Sequence, residues 1–272
     1  MARLLQQAGA TVAWAHYNHR WSAWGDEAEA FVRAQAELLG VTLHVGHGGG
    51  KAPSNAEAQA RAARLAFFHQ LCTAHGYAGV LLAHTQTDVA ETFLMRAGKG
   101  SGVRGLAALA PETVVGGVRI GRPLLGVARE ALRAWLMAQG QPWLDDPDTQ
   151  NQRARVRALL PQLAAAGVPV HGLAAAAQAA ARAQAAVAAQ VQAFRAMYPA
   201  TVPVAALVTL PAEVAGQVLG EIIAAQAAGG AVVRTSKRLA LLARLAAQPA
   251  GQASLGGLVW QWRAGTLTWR QA

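Results

Sequence analysis

The chain has 272 residues, of which 53% are hydrophobic, and it carries 24 Lys+Arg against 14 Asp+Glu for a net charge of +10. This composition excludes a disordered chain and is sufficient for one large domain, or for a medium domain with a smaller one. The single cysteine, Cys72, excludes an intrachain disulfide and a multi-cysteine metal site, which is typical of a cytoplasmic protein. No apolar run reaches the ~20 residues needed to span a membrane. The arginine-rich positive charge predicts a polyanionic partner, with nucleic acid as the first choice.

The first third of the chain alternates between strand and helix patterns. Residues 11–17, "TVAWAHY", are rich in β-branched and aromatic side chains and predict a strand, and 41–46, "VTLHVG", predict a second. Between them, helical spacing over 26–39 predicts a helix with Asp26 as its N-cap and Gly40 as its stop.

A longer helix and a third strand continue this pattern. Residues 55–76 predict the helix, capped by Ser54 or Asn55, and 77–84, "YAGVLLAH", predict a strand that is buried on both faces. Another helix follows, and the order of elements predicts an α/β fold with a doubly wound, mostly parallel sheet. Ligands bind such sheets beyond the carboxyl ends of the strands, so we expect the residues from His84 onward to lie on the binding edge.

The second half of the chain changes in composition. Residues 114–125 predict paired strands, followed by a helix, and the sequence then becomes Ala-rich with almost no acids. The last segment, "GGLVWQWRAGTLTWRQA", alternates like a β-hairpin with its turn at Ala264–Gly265. We therefore predict a domain of residues 1–168 and a smaller, mainly helical region of 169–272 that ends in a β-hairpin.

Two acids stand at the start of the helix that follows the third strand. Asp88 and Glu91 are three residues apart, so they share one helix face, where paired carboxylates can hold Mg²⁺ together with phosphate oxygens. The alternative is that they only complement the helix dipole. The segment "GKGSGVRG" that follows combines glycines with cations, and it predicts a phosphate cradle or an RNA contact without being a Walker loop.

Two groups of arginines are candidates for anion binding. Arg61 and Arg64 share a helical face, where the residues alone favour a solvated surface with an ion pair to Glu57. The second group, spaced by two residues, consists of Arg153, Arg155 and Arg157. For this group, phosphate binding is favoured over neutralisation of the aspartates in the preceding "DDPDTQN".

Five segments of the chain stand in a specific order and spacing: "HYNHRWS…DEAEAFV", "SNAEAQARAARLAFF", "AHTQTDVAETFLMRAGKGSGVRGLAAL", "RPLLGVAREALRAWLMAQGQPWLDDPD" and "RARVRALLPQL". Together they resemble tRNA(Ile)-lysidine synthetase, a family of PP-loop, N-type ATP pyrophosphatases, over about residues 10–165. The resemblance implies an adenine-nucleotide α-hydrolase-like fold. It also implies that the Ala-rich remainder occupies the place of the family's tRNA-binding part.

The resemblance implies a two-step reaction with ATP and Mg²⁺ as cofactors. ATP adenylates the C2 oxygen of the wobble cytidine in a tRNA(Ile) with a CAU anticodon, and pyrophosphate leaves. The amine of free L-lysine then displaces AMP, which gives lysidine.

Matching the family motif implies roles for individual positions in this sequence. Asp88 and Glu91 take the positions of the acids that bind Mg²⁺ and organise the reacting groups. The catalytic arginine is assigned to Arg157, with the choice among the three alternating arginines still open. The other positions implied to bind ATP or tRNA phosphate are His16, Arg61, Arg64, His84, Gly100, Ser101, Gly102, Arg153 and Arg155.

The sequence departs from the family pattern at several positions. Thr87 stands where the family has the first of two adjacent acids, and Asn18 stands where it has an aspartate. The N-terminal "MARLLQQAG" resembles the helix that follows the family's pyrophosphate-binding loop, so the first strand and that loop would precede Met1. A start codon assigned too late is favoured over a truncated relative, and activity is expected of the longer form.

Two alternatives to a lysidine-forming ligase stay open on the sequence. One is another PP-loop tRNA-modifying enzyme, such as a thiolase, although many of those enzymes rely on several cysteines. The other is a truncated, inactive, basic tRNA-binding relative. For each alternative we expect a cytoplasmic protein without a membrane segment, and a homodimer is one option for its oligomeric state.

Overall fold

The computed structural model of the protein describes residues 2–50, 56–147, 151–226 and 233–272. Contacts between residues divide the chain into two units: Met1–Gly100 with Ala108–Ala177, and Ser101–Ala107 with Gln178–Ala272. This division lies inside a helix, and the domain boundary expected at residue 168 stays a prediction.

The helices and strands up to the end of that helix are, in chain order, α1 (Ala2–Gln7), β1 (Trp14–Asn18), α2 (Ala23–Leu38), β2 (Leu43–His47), α3 (Ala56–His75), β3 (Val80–Leu81), α4 (Gln86–Ala97), α5 (Val103–Leu106), β4 (Glu112–Val115), β5 (Val118–Gly121), α6 (Arg129–Ala138), α7 (Gln152–Ala165) and α8 (Val170–Met197). The predicted alternation of strands and helices is confirmed. The caps expected at Ser54 or Asn55 lie outside the described residues.

Helix α2 begins earlier than its sequence pattern predicts. Its N-cap is Ser22, whose backbone is extended, with φ −152° and ψ 160°, so the assignment of Asp26 as the N-cap was wrong. Asp26 lies in the first turn instead, because its carboxylate accepts a hydrogen bond from Asn18 Nδ2 at 2.9 Å. The predicted stop is confirmed, since Gly40 has a φ of 62°, a conformation that favours glycine.

The α/β class is confirmed, but the described strands of the first unit form two sheets. Strands β1 and β2 are parallel, with Trp14 opposite Leu43. Strand β3 is parallel to β5, which is antiparallel to β4. Strand β3 has two residues instead of the predicted eight, because β5 is the only one of the described strands that pairs with it. A cleft of about 940 Å³ is lined by residues of both sheets, including His16 and Leu82.

Three small apolar clusters hold the helices of the first unit in place. Helix α3 packs on β5 through Phe68, which contacts Val118 and Ile120. Helix α4 is anchored through Val89 and Ala90, which pack against buried side chains of α7 and α8. The first turns of α4 are therefore fixed relative to α7.

The second unit closes with an antiparallel sheet. Its further elements are β6 (Val202–Pro203), α9 (Val204–Val208), α10 (Ala212–Gln226), α11 (Thr235–Ala247), β7 (Gly251–Leu255), β8 (Leu258–Arg263) and β9 (Thr266–Gln271). The predicted terminal hairpin is confirmed as β8 and β9, with positive φ at both Ala264 and Gly265 as tight hairpin turns require. Strands β6 and β7 extend it to four strands, in the order β6-β9-β8-β7.

The core of this unit lies between its sheet and helices. On β8, Leu258, Trp260 and Trp262 alternate inward and are fully buried, as the period of a half-buried strand predicts. They pack in one cluster with α10, whose residues Leu219 and Ile222 are also fully buried. Within the described ranges no single helix is long and apolar enough to cross a membrane. Helices α7 and α8 reach that length and apolar character only when taken together, and the two are bent by 107° relative to each other.

Candidate functional site

Asp88 is fixed at the start of helix α4. Thr85 is the N-cap of this helix, and both its backbone nitrogen and its Oγ1 donate to Asp88 Oδ2 at 2.8 Å. The other oxygen, Oδ1, lies 3.4 Å from Arg153 Nη1 on α7. The Asp88 side chain is 20% exposed, so one carboxylate oxygen is held by the helix cap and the other faces an arginine and solvent.

Glu91 lies one turn further along and is fully buried. Arg157 donates two parallel hydrogen bonds to this carboxylate: Arg157 Nε is 2.6 Å from Oε1, and Nη2 is 3.2 Å from Oε2. Arg153 Nε lies 3.8 Å from the same Oε2. Hydrogen bonding to Glu91 is the largest effect that raises the pKa of Arg157. A buried carboxylate is stable only when it is paired, so Glu91 and Arg157 depend on each other.

The two acids therefore differ in their fitness to bind Mg²⁺. Asp88 Oδ1 is a hard oxygen with one long contact, and it fits a Mg²⁺ ligand whose other ligands are phosphate oxygens and water. Both oxygens of Glu91 are already engaged by Arg157, so in this arrangement Glu91 does not fit the metal. In the part of the chain that the structure describes, no cluster of three His, Cys, Asp or Glu side chains is arranged to hold a metal ion.

His84 lies between β3 and α4, one residue before the cap of the helix. Its Nδ1 is buried without a hydrogen-bond partner in the described residues. Burial, as the largest effect, lowers the pKa of His84, and the charges of Arg122, Arg153 and Arg64 lower it further. Its imidazole is therefore neutral at pH 7 and retains a free ring nitrogen.

Several arginines lie around His84 and Asp88. Desolvation lowers the pKa of Arg64, and the charges of Arg61 and Arg153 lower it further. The pKa of Arg96 is lowered by burial and then by those same two arginines. Like charges close enough to perturb one another favour a bound anion. The charges of Arg61 and Arg153 thus both act on Arg64, while the ion pair expected with Glu57 lies outside the described side chains.

Other predicted site residues lie elsewhere. Arg155 is exposed on α7 and, among the described residues, makes no ion pair, because it is two residues from both Arg153 and Arg157 and faces away from them. His16 Nε2 is buried without a described partner, and after burial, which lowers its pKa, the charges acting on it come from Glu29, Arg33 and His47. Its roles, like those of all the site residues, stay predictions.

The predicted glycine turn lies at the division between the two units. Gly100 has a φ of 66° and belongs to the first unit, whereas Ser101 and Gly102 belong to the second. There, a Cβ at Gly102 would lie 3.7 Å from the carboxylate of Glu213.

Asn18 organises a polar network that the sequence did not reveal. Its Oδ1 accepts from Arg20 N at 2.8 Å, and its Nδ2 donates to Asp26 and, at 3.0 Å, to Glu29. The hydrogen bond from Asn18 is the largest effect that lowers the pKa of Glu29, to about 2. An aspartate here would direct a carboxylate oxygen at two other carboxylates, which explains why the amide suits this position better.

Thr87 also departs from the family pattern for a visible reason. It is 5% exposed, and its Oγ1 is buried without a described partner. An acid at this buried position would need a cation as its partner, whereas the hydroxyl of threonine carries no charge.

Comparisons with known proteins agree with this geometry. Residues 1–163 match the family described as the PP-loop domain. A tRNA(Ile)-lysidine synthase of Ruegeria pomeroyi is 43% identical over 123 residues, which cover 44% of this chain and 29% of the relative. One of Methylobacterium sp. is 37% identical over 217 residues, covering 75% of this chain and 63% of the relative.

A solved structure supports the fold alone. The U34-tRNA thiolase NcsA from Methanococcus maripaludis, described with its 4Fe-4S cluster, has a TM-score of 0.54 and 14% identity, over 67% of each chain. For the first relatives by sequence, the chain spans about a third of their length, at 29%, 30% and 36%.

The PP-loop match covers more than half of the chain and includes β1, β3 and the Asp88–Glu91 helix. The adenine-nucleotide α-hydrolase-like fold and the resemblance to tRNA(Ile)-lysidine synthetase are confirmed, and the chain belongs to the PP-loop family.

Proposed function

We propose that the chain is the catalytic part of a ligase that uses ATP to join L-lysine to the wobble cytidine of a tRNA(Ile) with a CAU anticodon. The observation that carries the proposal is the 37% identity over 217 residues to a tRNA(Ile)-lysidine synthase. The acid and arginine side chains at the carboxyl end of β3 support it, because ligands of parallel sheets bind at this edge.

The residues of the site fit the two steps of this reaction. In the first step, the cytidine oxygen bonds to the α-phosphorus of ATP as the bond to pyrophosphate breaks. Arg153 and Arg157 are positioned by Asp88 and Glu91 to stabilise the charge on the phosphate oxygens. Mg²⁺, held through Asp88 and the phosphates, would neutralise further charge.

In the second step, the lysine amine bonds to C2 of the base, and the bond from C2 to the oxygen of AMP breaks. The amine must lose a proton on the way. His84 lies at the same edge of the sheet, and an imidazole whose pKa is lowered by burial is a free base at pH 7 that can accept this proton.

L-lysine carries positive ammonium groups and a negative carboxylate, and a cleft beside Arg157 is lined by side chains of both signs. The cleft has a volume of about 540 Å³ and is lined by the acids Glu130, Asp145 and Asp146 and by the cations Arg129, Arg133 and Arg157. Asp145 already pairs with Arg129 and Arg133. Glu130 is exposed, so we assign it to the lysine ammonium group.

The tRNA partner is supported by the charge of the second unit. Its residues, 101–107 and 178–272, contain nine Lys and Arg but two acids, Glu213 and Glu221. Binding to tRNA should therefore weaken steeply as salt is raised, by about a hundredfold or more between roughly 50 and 200 mM. A flat response to salt would contradict tRNA binding through phosphate contacts.

Two other readings receive less support. The relatives are named as lysidine synthases, so an inactive relative is not favoured. A thiolase with an iron–sulfur cluster would need several cysteines, and this chain has one. A cytoplasmic location and a homodimeric state stay predictions.

The experiment is the incorporation of labelled L-lysine into a tRNA(Ile) transcript with a CAU anticodon. The assay is run with this chain and, in a second arm, with the chain extended by any in-frame codons that precede Met1. We expect label in the RNA that depends on ATP and is absent from a matched transcript with a GAU anticodon. No label in either arm would overturn the proposed function.

A further inference from the structure

Arg122 has an environment that the activity described so far does not explain. It directly follows β5, and 7% of the residue is exposed. Its Nη1 donates to Ala110 O at 2.8 Å, while its Nε is buried and has no hydrogen-bond partner in the part of the chain that the structure describes. Among the described residues, no carboxylate lies within ion-pair distance of this guanidinium. A buried guanidinium is unfavourable unless an anion pairs with it, so an anionic ligand would stabilise this site.

The sheet directs Arg122 toward the edge that holds His84. Strands β3 and β5 are parallel, and Leu82 N donates to Gly121 O at 2.9 Å at the point where both strands end. Arg122 and His84 therefore follow neighbouring strands at one carboxyl edge. The charge of Arg122 accordingly acts on His84 and lowers its pKa after burial, the larger effect.

Helix α3 adds a second cation at the same edge. Arg61 is seven residues before Phe68, two helical turns, so the two share the face that packs on β5. Helix α3 leads into β3, which is parallel to β5, and a helix that leads into a parallel strand begins at the carboxyl edge of that strand. Arg61 lies in the first turns of α3. Burial lowers the pKa of Arg122, and the charge of Arg61 lowers it further. Arg61 is exposed, so the pair is open to solvent on that side.

We propose that Arg122 and Arg61 form a phosphate-binding site at the carboxyl end of β5 and that its ligand is a phosphate group of the nucleotide. The ligand identity rests on the proposed function. Arg122 is held in advance, since its backbone nitrogen donates to Pro111 O at 2.7 Å and its Nη1 to Ala110 O. A single phosphate group is much smaller than the backbone of a folded RNA, so it is the better match for a guanidinium on a residue that is 7% exposed.

Equilibrium dialysis tests the site with three probes: ATP, AMP and inorganic phosphate. Arg122→Gln removes the charge, and Arg119→Gln is the matched control, because Arg119 lies on β5, three residues earlier, and is exposed. Loss of one charge-assisted hydrogen-bonding group should weaken the binding of ATP and AMP about ten- to hundredfold. The control should bind within about twofold of the wild type.

Folding is followed in parallel by thermal melting. Arg122→Lys keeps the positive charge but loses the paired N–H donors of the guanidinium. It should therefore retain part of the affinity for ATP, even if Arg122→Gln unfolds. ATP should raise the melting temperature of the wild type more than that of Arg122→Lys. Equal shifts, unchanged affinity in Arg122→Gln, or a wild type that binds none of the three probes at millimolar concentration would overturn the site.

A further arm separates the two sources of phosphate. If Arg122→Gln weakens binding of a tRNA transcript but not of ATP or AMP, the nucleotide assignment is overturned. If the wild type binds ATP through Arg122 but neither this chain nor its extended form incorporates lysine, the proposed function is overturned and this site is left intact.

Discussion

The fully buried Glu91 forms a forked ion pair with Arg157 between helices α4 and α7, with Arg157 Nε 2.6 Å from Glu91 Oε1. Sixty-six residues separate the two along the chain. The pair fixes the direction of one guanidinium and leaves Asp88, one turn earlier, as the acid with an oxygen that solvent and ligands can reach.

Glu91→Gln should lower the free energy of unfolding by about 2 kcal/mol, because it removes the charge that compensates Arg157. The loss of stability is smaller than for a fully buried ion pair, because the Arg157 side chain is 37% exposed and water can solvate its charge in the variant. Urea unfolding measures it. Asp88→Asn, the control one turn away, should lose about 1 kcal/mol or less, because the amide oxygen of asparagine can still accept a hydrogen bond from Thr85 at the helix start. Wild-type stability in Glu91→Gln would contradict the pairing.

Arg157→Gln and Arg155→Gln form a matched pair on one helix. Arg157 is held at the acids, whereas Arg155 is exposed and faces away. The rate of lysine incorporation should fall by about a hundredfold or more in the first variant, as expected when a group that stabilises transition-state charge is lost. It should stay within about threefold of the wild type in the second. Equal losses would refute the assignment of Arg157.

Asp88→Asn should raise the Mg²⁺ concentration that gives the half-maximal rate, by on the order of tenfold, because a neutral amide is a poorer Mg²⁺ ligand than a carboxylate. Titration of Mg²⁺ at saturating ATP measures this shift. The control is Glu112→Gln, which changes an exposed acid on β4. An unchanged Mg²⁺ requirement in Asp88→Asn would remove Asp88 from the metal site.

Glu130→Gln tests the lysine site. It should raise the KM for L-lysine about tenfold, because one charge-assisted hydrogen bond to the ammonium group is lost. The KM for ATP should not change. If both KM values rise together, Glu130 supports the structure of the cleft and does not recognise lysine.

The pKa of Glu29 predicts a stability change at low pH. Its pKa is lowered from 4.5 to about 2, so the stabilisation, about 3 kcal/mol, is complete above pH 4.5 and is lost as the pH falls toward 2. Asn18→Asp removes the hydrogen bond that does most to lower the pKa of Glu29, and it places a second negative charge beside Glu29. The variant should therefore be less stable than the wild type at pH 7, and it should lose less stability as the pH falls toward 2. The control Arg33→Gln breaks an exposed contact to Glu29 and should cost less than about 1 kcal/mol. Urea unfolding at several pH values distinguishes the two.

Local patterns were sufficient for much of the fold. The alternation of strands and helices, the end of α2 at Gly40 and the hairpin turn at Ala264–Gly265 follow from periodicity and from the backbone preferences of glycine. The start of α2 did not follow, because Asp26 is drawn to Asn18 by a tertiary hydrogen bond. The short β3 did not follow either, since strand length depends on a partner.

The sequence by itself determined the α/β pattern, the family resemblance and the set of acids and arginines that stand near the strand ends. Only the tertiary structure decided which acid keeps an accessible oxygen, which arginine is paired and that Arg122 is buried with no anionic partner among the described residues. The physical reason is that spacing along a helix defines its faces, whereas the partner of a face is set by packing between residues far apart in the chain.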